Sequence, residues 1–187
     1  MKNLILASQS PRRKELLQTI VKDTPFACIP ADTDETFGSG DLDEALLAVA
    51  KAKAEAVSKT HPDDLVIGAD TIVVHNGKIL GKPKNKAEAF AALKALSDGW
   101  HAVKTGLVLL GGEKPQAEVV TTKVHFRPLC DDEIEAYVQT GSPLDKAGSY
   151  GIQETDFADA LEGSFTNVVG LPTELLGAWL KPYGLVA

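Results

Sequence analysis

The sequence predicts an α/β fold in which helices flank a mixed, twisted sheet. Short apolar runs, typical of strands, alternate along the 187 residues with amphipathic stretches that are typical of helices. Two apolar runs within residues 65–80 are joined by Asn76-Gly77, a dipeptide that strongly favours a tight antiparallel hairpin. No internal repeat or linker breaks the chain, so we expect residues 1–187 to form one domain, with one or two lobes.

Each predicted element has a local reason. Ser10 and Pro11 suit the first positions of a helix, and Asp131 suits the N-cap of a later one. The Gly-Gly pair at 111–112 suits a turn between two long strands, and Pro172 suits the start of the last helix. In order, we predict a strand at 3–7, a helix at 11–19, a strand at 26–31, a helix at 43–59, the hairpin at 65–80, a helix at 86–97, strands at 102–112 and 117–126, a helix at 131–139, short strands or loops at 148–153 and 164–170, and the last helix.

Composition restricts the class of function. The net charge of −7 disfavours a protein that binds nucleic acid polymers, whose surface is normally basic, but a few gathered cations can still hold a small anion. No apolar run approaches the roughly 18 residues of a membrane span, so we expect no membrane partner. Cys28 and Cys130 lie far apart in sequence, which argues against a disulfide framework or a zinc site and favours the cytoplasm.

Three cations follow the predicted N-cap Ser10, in the first turn of the helix at residues 12–14. Cations there oppose the helix dipole by roughly 0.3–1 kcal/mol each, and a bound anion would reverse that sign. One interpretation is a phosphate-binding loop formed by Ser8, Ser10, Arg12 and Arg13. The alternative, equally weighted, is a set of surface arginines in solvent.

Lys53 lies in the apolar face of the predicted helix 43–59. At 100° per residue, that face holds Lys53 together with Leu46, Val49, Ala50, Ala54 and Val57. A lysine in such a stripe either extends its ammonium to solvent or needs a buried or bound anionic partner.

Asp70 interrupts an apolar strand, which is costly unless the carboxylate is paired, hydrogen-bonded or bound to a metal. Acidic residues also cluster at 31–35, so Asp70 and Glu35 could together hold a divalent cation that stays open to phosphate. The alternative is a structural aspartate. Lys82 and Lys146 are ordinary lysines alone, but with the other cations they would suit a polyphosphate.

Seven segments, in order, resemble the Maf family of nucleoside triphosphate pyrophosphatases. They are "LASQSPRRKELL", "DTDE", "AKAKA", "IGADTIVV", "GKP", "LDKAGSYGIQ" and "GSFTNVVGLP", and the resemblance covers nearly the whole chain. The resemblance implies an elongated, two-lobed α/β fold with a central cleft, related to that of the inosine triphosphate pyrophosphatases. It also implies cleavage of a nucleoside triphosphate to a monophosphate and pyrophosphate with a divalent metal, Mg²⁺ or Mn²⁺, and is compatible with a homodimer.

The resemblance also assigns roles to individual residues. Substrate-binding positions are Ser8, Arg12, Arg13, Thr71 and Gln153, and catalytic positions are Glu35, Lys53, Asp70 and Lys82, with Glu35 and Asp70 as metal ligands. Among the substrate-binding positions, Arg12, Thr71 and Gln153 match the branch of the family that prefers dTTP and UTP. The expected reaction is therefore hydrolysis of dTTP and UTP between the α and β phosphates. Two alternatives remain at this point: action on 7-methyl-GTP or another modified nucleotide, and a nucleotide-binding regulator of cell division.

Overall fold

A computed structural model describes residues 2–31, 33 and 40–186. Within these residues the strands are β1 (Leu4–Leu6), β2 (Phe26–Cys28), β3 (Leu65–His75), β4 (Lys78–Leu80), β5 (Gly99–Leu110), β6 (Gln116–Phe126) and β7 (Ala158–Glu162). The α-helices are α1 (Pro11–Val21), α2 (Leu42–Ser58), α3 (Lys86–Leu96), α4 (Asp131–Gln139), α5 (Phe165–Val169) and α6 (Thr173–Leu180). No helix in the described ranges is long and apolar enough to cross a membrane.

The strands pair in the order β2-β1-β3-β5-β6-β7, and β4 pairs with β3. β1 pairs in parallel with both β2 and β3, whereas β3 with β4 and β6 with β7 are antiparallel. Asn76 and Gly77, which join β3 to β4, both have positive φ, as a two-residue hairpin turn requires. The sheet is therefore mixed and flanked by helices, which confirms the predicted fold class.

The chain divides into two compact units. The first unit comprises Met1–Asp70, Thr105–Val120 and Gly170–Ala187, and the second comprises Thr71–Lys104 and Thr121–Val169. The assignment of residues 1–187 to a single domain stays a prediction.

In the first unit, helices cover both faces of the sheet. Alternate residues of β1, β3 and β5 pack on one face against α1 and α6, in a cluster that contains Leu6, Ile67 and Leu109. The intervening residues, among them Ile5 and Val66, pack on the other face against α2. Because both faces are buried, these strands are apolar runs without polar alternation.

The second unit has its own core, between α3, α4 and the strands. The core residues are Val73, Ala89, Leu93, Leu96, Val103, Val124, Phe126, Ile134, Val138, Tyr150 and Phe157. Edge-to-face aromatic pairs, such as Phe126 with Tyr150 at 4.7 Å between ring centroids, fill the centre of this core.

All the elements predicted up to residue 139 are present, but three details differ from the prediction. The N-cap of α4 is Cys130 and not Asp131, because the Glu133 carboxylate accepts a hydrogen bond from the Cys130 N–H at 2.8 Å. Residues within 164–170 form the helix α5 and not a strand or loop, since Ser164 Oγ accepts from Asn167 N at 3.1 Å, as an N-cap does. The strand β7 was not predicted.

Candidate functional site

Lys53 and Asp70 form a largely buried ion pair in the first unit. Lys53 Nζ lies 3.1 Å from Asp70 Oδ1, and the two side chains are 10% and 13% exposed. Lys53 Nζ also lies 3.5 Å from the Ala69 carbonyl oxygen. The ammonium in the apolar face of α2 therefore has an anionic partner and does not extend to solvent, and the carboxylate that interrupts β3 is paired.

The alternation of β3 and one glycine bring this pair together. Leu65, Ile67 and Ala69 belong to the core cluster on the α1 side, so Asp70 and Gly68 face α2. A Cβ on Gly68 would lie 2.4 Å from the Ala50 carbonyl oxygen and 2.8 Å from the Ala54 Cβ. The missing side chain lets α2 approach the sheet closely, and Lys53 is on the turn of α2 that makes this approach.

The loop between β1 and α1 is built from serine side chains. Ser10 is the N-cap of α1, and its Oγ accepts a hydrogen bond from Arg13 N at 3.2 Å. Ser8 Oγ accepts from Ser10 N at 3.0 Å. Pro11 has no N–H and Lys14 N donates to Ser10 O, so the Arg12 N–H is the backbone donor that this first turn leaves for an anion. Binding of an anion here would therefore depend mainly on side chains.

Arg13 is fixed by a backbone carbonyl. Its Nε donates to the Gly170 carbonyl oxygen at 2.7 Å, which ties the start of α1 to the segment that leads into α6. Arg12 and Arg13 are both half-buried, and the phosphate-binding loop stays a prediction beside the alternative of surface arginines. The sequence could not predict this bond to Gly170. The acceptor is a main-chain carbonyl 157 residues away, and every residue has such a carbonyl.

Parallel pairing places the serine loop near the ion pair. Leu4 to Leu6 pair with Leu65 to Ile67, and Ala7 N continues the pairing by donating to Ile67 O at 2.9 Å. Continuing this register sets Ser8 opposite Ala69, one residue before Asp70 on the neighbouring strand. Adjacent strands lie about 4.8 Å apart, so Ser8, just beyond the end of β1, lies beside the Ala69–Asp70 stretch of β3. The backbone of the serine loop therefore begins close to the Lys53–Asp70 pair.

Three predicted site residues belong to the second unit. Thr71 follows Asp70 on β3 and is half-buried. Lys82 is exposed in the loop between β4 and α3, where the Gly81 carbonyl accepts from Gly148 N at 3.3 Å. Gln153 is exposed in a turn that follows the same segment, and its side-chain amide makes no hydrogen bond with the part of the chain the structure describes.

Lys146 is buried and engaged within the second unit. It is 8% exposed, and its Nζ lies 2.9 Å from Asp145 Oδ1 and 3.1 Å from Glu154 Oε1. The sequence pattern groups Lys146 with the cations that would suit a polyphosphate, but in the structure its charge is already balanced by these carboxylates. Glu154, which was not predicted as a site residue, is the one that organises this region.

A buried histidine in the second unit stands apart from these groups. His101 is 3% exposed, its Nε2 lies 2.6 Å from Tyr150 OH, and its Nδ1 is buried without a partner among the described residues. Burial, with the nearby charge of His75, lowers the pKa of His101 to about 4. The ring is therefore neutral at pH 7.

The predicted metal ligands are only partly described. Glu35 lies outside the described residues, while Asp70 uses Oδ1 for Lys53. In the described ranges, no group of three or more His, Cys, Asp or Glu side chains is arranged to hold a metal ion. A Mg²⁺ ion that keeps several waters and shares phosphate oxygens needs only one or two carboxylates. Among the described residues the donor is Asp70, and one carboxylate suits a cation that brings phosphate and water ligands with it.

Comparison with known proteins gives consistent matches over nearly the whole chain. A family model described as Maf-like protein matches residues 3–183. A protein from Halalkalibacterium halodurans named dTTP/UTP pyrophosphatase is 47% identical, covering 98% of this chain and 97% of that protein. Proteins with the same name from Salinibacter ruber and Bacillus cytotoxicus are 46% and 44% identical, covering 95% and 98% of this chain and 89% and 96% of those proteins.

The fold also matches a solved structure. A HAM1 protein from Coxiella burnetii aligns with a TM-score of 0.54, covering 97% of this chain and 100% of that one. The two sequences are 17% identical, so this likeness concerns the fold alone.

Proposed function

Because this chain belongs to the Maf family, we propose that it hydrolyses dTTP and UTP to the nucleoside monophosphate and pyrophosphate. Several relatives that carry the name dTTP/UTP pyrophosphatase are 42–47% identical over nearly the full length. The observation that carries the proposal is the largely buried Lys53–Asp70 pair, which lies beside the end of β1, where the Ser8 loop begins. A carboxylate held next to cations and hydroxyl donors suits the hydrolysis of a phosphoanhydride.

The phosphates are the part of the substrate that the first unit would bind. Ser8 keeps its hydroxyl proton for donation because its Oγ accepts from Ser10 N. Arg12 supplies a guanidinium and a backbone N–H, and Arg13 is oriented by its bond to the Gly170 carbonyl. In the proposed reaction, these groups neutralise the polyphosphate and stabilise the charge that develops on the departing pyrophosphate. Lys82 is assigned to the polyphosphate as well, as the resemblance to the family implies.

Asp70 is the proposed general base. Water adds across the α–β anhydride: its oxygen bonds to phosphorus, the bridging P–O bond breaks, and pyrophosphate leaves while Asp70 accepts the water proton. Lys53, 3.1 Å away, fixes the orientation of the carboxylate and balances its charge. Base recognition is assigned to Thr71 and Gln153, since an amide side chain offers both a donor and an acceptor to a pyrimidine.

A divalent cation, Mg²⁺ or Mn²⁺, is part of this proposal. Asp70, together with Glu35, would hold it through carboxylate oxygens, and the rest of its shell would be water and phosphate oxygens. When bound, the cation neutralises phosphate charge and activates the leaving group. Because Asp70 Oδ1 is paired with Lys53, one carboxylate oxygen is left for the two roles of metal ligand and general base. These roles compete, since a carboxylate that binds a cation strongly is a weaker base.

The substrate class is tested with a panel of nucleoside triphosphates in the presence of Mg²⁺ or Mn²⁺. We expect dTTP and UTP to give the highest kcat/KM and 7-methyl-GTP to be a poor substrate. A preference for 7-methyl-GTP would replace the proposed substrate. Tight nucleotide binding with negligible turnover of every member of the panel would favour a nucleotide-binding regulator.

The role of Asp70 is tested by Asp70→Asn, which keeps the size of the side chain and removes its basicity. We expect turnover to fall by at least about 10²-fold, the usual contribution of a general base, while nucleotide binding measured by calorimetry changes much less. Near-normal turnover in this variant would remove Asp70 from the mechanism.

A further inference from the structure

The carboxylate of Glu154 is the centre of a closed hydrogen-bond network in the second unit. Glu154 Oε1 accepts from Tyr137 OH at 2.9 Å, and its Oε2 accepts from Ser142 Oγ at 2.6 Å. Lys146 Nζ lies 3.1 Å from Oε1. Each hydroxyl also accepts one bond: Tyr137 from Gly151 N at 2.9 Å, and Ser142 from Lys146 at 2.9 Å. The direction of every bond is therefore fixed, because each hydroxyl has one proton to donate.

This network fastens both ends of a four-residue turn. Glu154 N donates to the Gly151 carbonyl at 3.0 Å, so Ile152 and Gln153 are the two central residues of the turn. The Tyr137 hydroxyl holds the first residue through its N–H and the last through its carboxylate. Gln153 is exposed on a turn whose two ends are both held by α4.

The fit around the carboxylate is close. A Cβ on Gly151 would lie 2.6 Å from Glu154 Oε1 and 3.0 Å from Lys146 Cε, so a side chain at this position would displace the Glu154 carboxylate from where it lies. Burial alone would raise the pKa of Glu154, but the hydrogen bonds from Ser142, Tyr137 and Lys146 outweigh it and hold the pKa below its ordinary value. The carboxylate is therefore ionised at neutral pH, and the network persists there.

Lys146 contacts two carboxylates that differ in their exposure to solvent. Four oxygen atoms lie within 3.1 Å of its Nζ: Ser142 O, Ser142 Oγ, Asp145 Oδ1 and Glu154 Oε1. The side chain of Asp145 is 70% exposed and that of Glu154 is 40% exposed, so Glu154 is the better shielded of the two carboxylates. Without Glu154, the buried ammonium would be left with a solvent-exposed carboxylate, and the turn would lose its anchor.

We propose that Glu154 is a positioning residue for base selection, which fixes the turn that presents Gln153 to the nucleobase. This proposal rests on the proposed function, because it takes Gln153 as the group that contacts the base. It predicts that the network controls the choice among bases more than the rate on the preferred one.

The test compares UTP with CTP, whose bases differ in the donors and acceptors that an amide side chain would contact. In Glu154→Ala and in Tyr137→Phe, we expect the ratio of kcat/KM for UTP over CTP to fall about tenfold, the effect of one misplaced hydrogen bond. The kcat for UTP should change by less than about threefold. Glu154→Gln, which keeps an acceptor for Tyr137 and Ser142 but loses the charge, should retain part of the ratio.

A double-variant cycle identifies the route of the effect. Gln153→Ala alone should lower the ratio, and adding Glu154→Ala should lower it no further, because both changes remove the same contact. Glu135→Gln is the matched control: Glu135 is an exposed residue of α4 that accepts from Gln139 at 2.6 Å, and its replacement should leave the ratio unchanged.

Two results would overturn the proposal. One is a ratio within twofold of the original protein in both Tyr137→Phe and Glu154→Gln, which also serve if Glu154→Ala does not fold. The other is additive losses in the Gln153/Glu154 double variant. Either result, with normal UTP turnover by the unaltered protein, defeats this inference alone. Absence of pyrophosphate release from both UTP and dTTP by the unaltered protein defeats the proposed function, and this inference with it.

Discussion

Replacing Lys53 by methionine tests the ion pair that organises the first unit. The change keeps the length of the side chain but leaves the Asp70 carboxylate, 13% exposed, without its ammonium partner. Breaking a buried pair by removing one partner costs about 3–5 kcal/mol, and the residual exposure of both side chains places this pair near 3 kcal/mol. With a urea slope of about 2 kcal/mol/M, the unfolding midpoint should fall by about 1.5 M.

Tryptophan fluorescence can report the first unit selectively. The chain has two tryptophans: Trp179 packs against the core of the first unit, and Trp100 is 47% exposed in the second. In a Trp100→Phe background, urea unfolding followed at Trp179 therefore measures the unit that contains Lys53.

Lys51→Met is the matched control on the same helix. Lys51 lies 3.8 Å from Glu55, with both side chains 58% exposed, and such a pair contributes less than about 0.5 kcal/mol. The double variant Lys53→Met/Asp70→Asn removes both charges and should recover at least about half of the loss. The account would be refuted if Lys53→Met lowered the midpoint no more than Lys51→Met, or if the double variant were less stable than Lys53→Met.

Two further predictions concern packing and pH. Gly68→Ala should destabilise the protein by about 1–3 kcal/mol and slow turnover, because its Cβ would lie 2.4 Å from the Ala50 carbonyl oxygen. Gly177→Ala, in α6 with nothing within 4 Å of its Cβ, should instead stabilise by about 0.5–1 kcal/mol; urea midpoints of the two variants decide this. His101, with its pKa lowered from 6.5 to about 4, binds a proton more weakly when folded, so stability should fall by up to about 3 kcal/mol as pH drops from about 6.5 to 4. Urea midpoints at pH 7, 5.5 and 4.5 measure this loss, which His101→Gln should reduce and His61→Gln should not.

Local patterns predicted the position of Lys53 in the apolar face of α2 and the residue at which α1 begins. The position of Lys53 in an apolar helical face is a property of residues three and four apart, so it can be read without knowledge of the fold. Ser10 and Pro11 likewise mark the start of α1 by their own chemistry, which the structure confirms. The partner of Lys53 could not be identified from the sequence. The patterns indicated that Lys53 and Asp70 each needed a partner, but they did not link the two residues.

The network around Glu154 could not be predicted from local patterns. Tyr137, Ser142, Lys146 and Glu154 are ordinary polar residues in sequence, and they meet only because α4 and the following turns pack together. α5 was missed for a related reason. Its β-branched residues favoured an extended strand, but the Ser164 cap and the contacts of Asn167 with Val103 O and Thr122 Oγ1 favour a helical turn.

The most direct test of the central claim is to identify the bond that is broken. UTP incubated with the purified protein and Mg²⁺ should give UMP and pyrophosphate in equal amounts, resolved by phosphorus NMR. Asp70→Asn, purified in the same way, should give neither and thereby control for contaminating phosphatases. UDP and orthophosphate as the first products would contradict the account, because they require cleavage at the terminal phosphate.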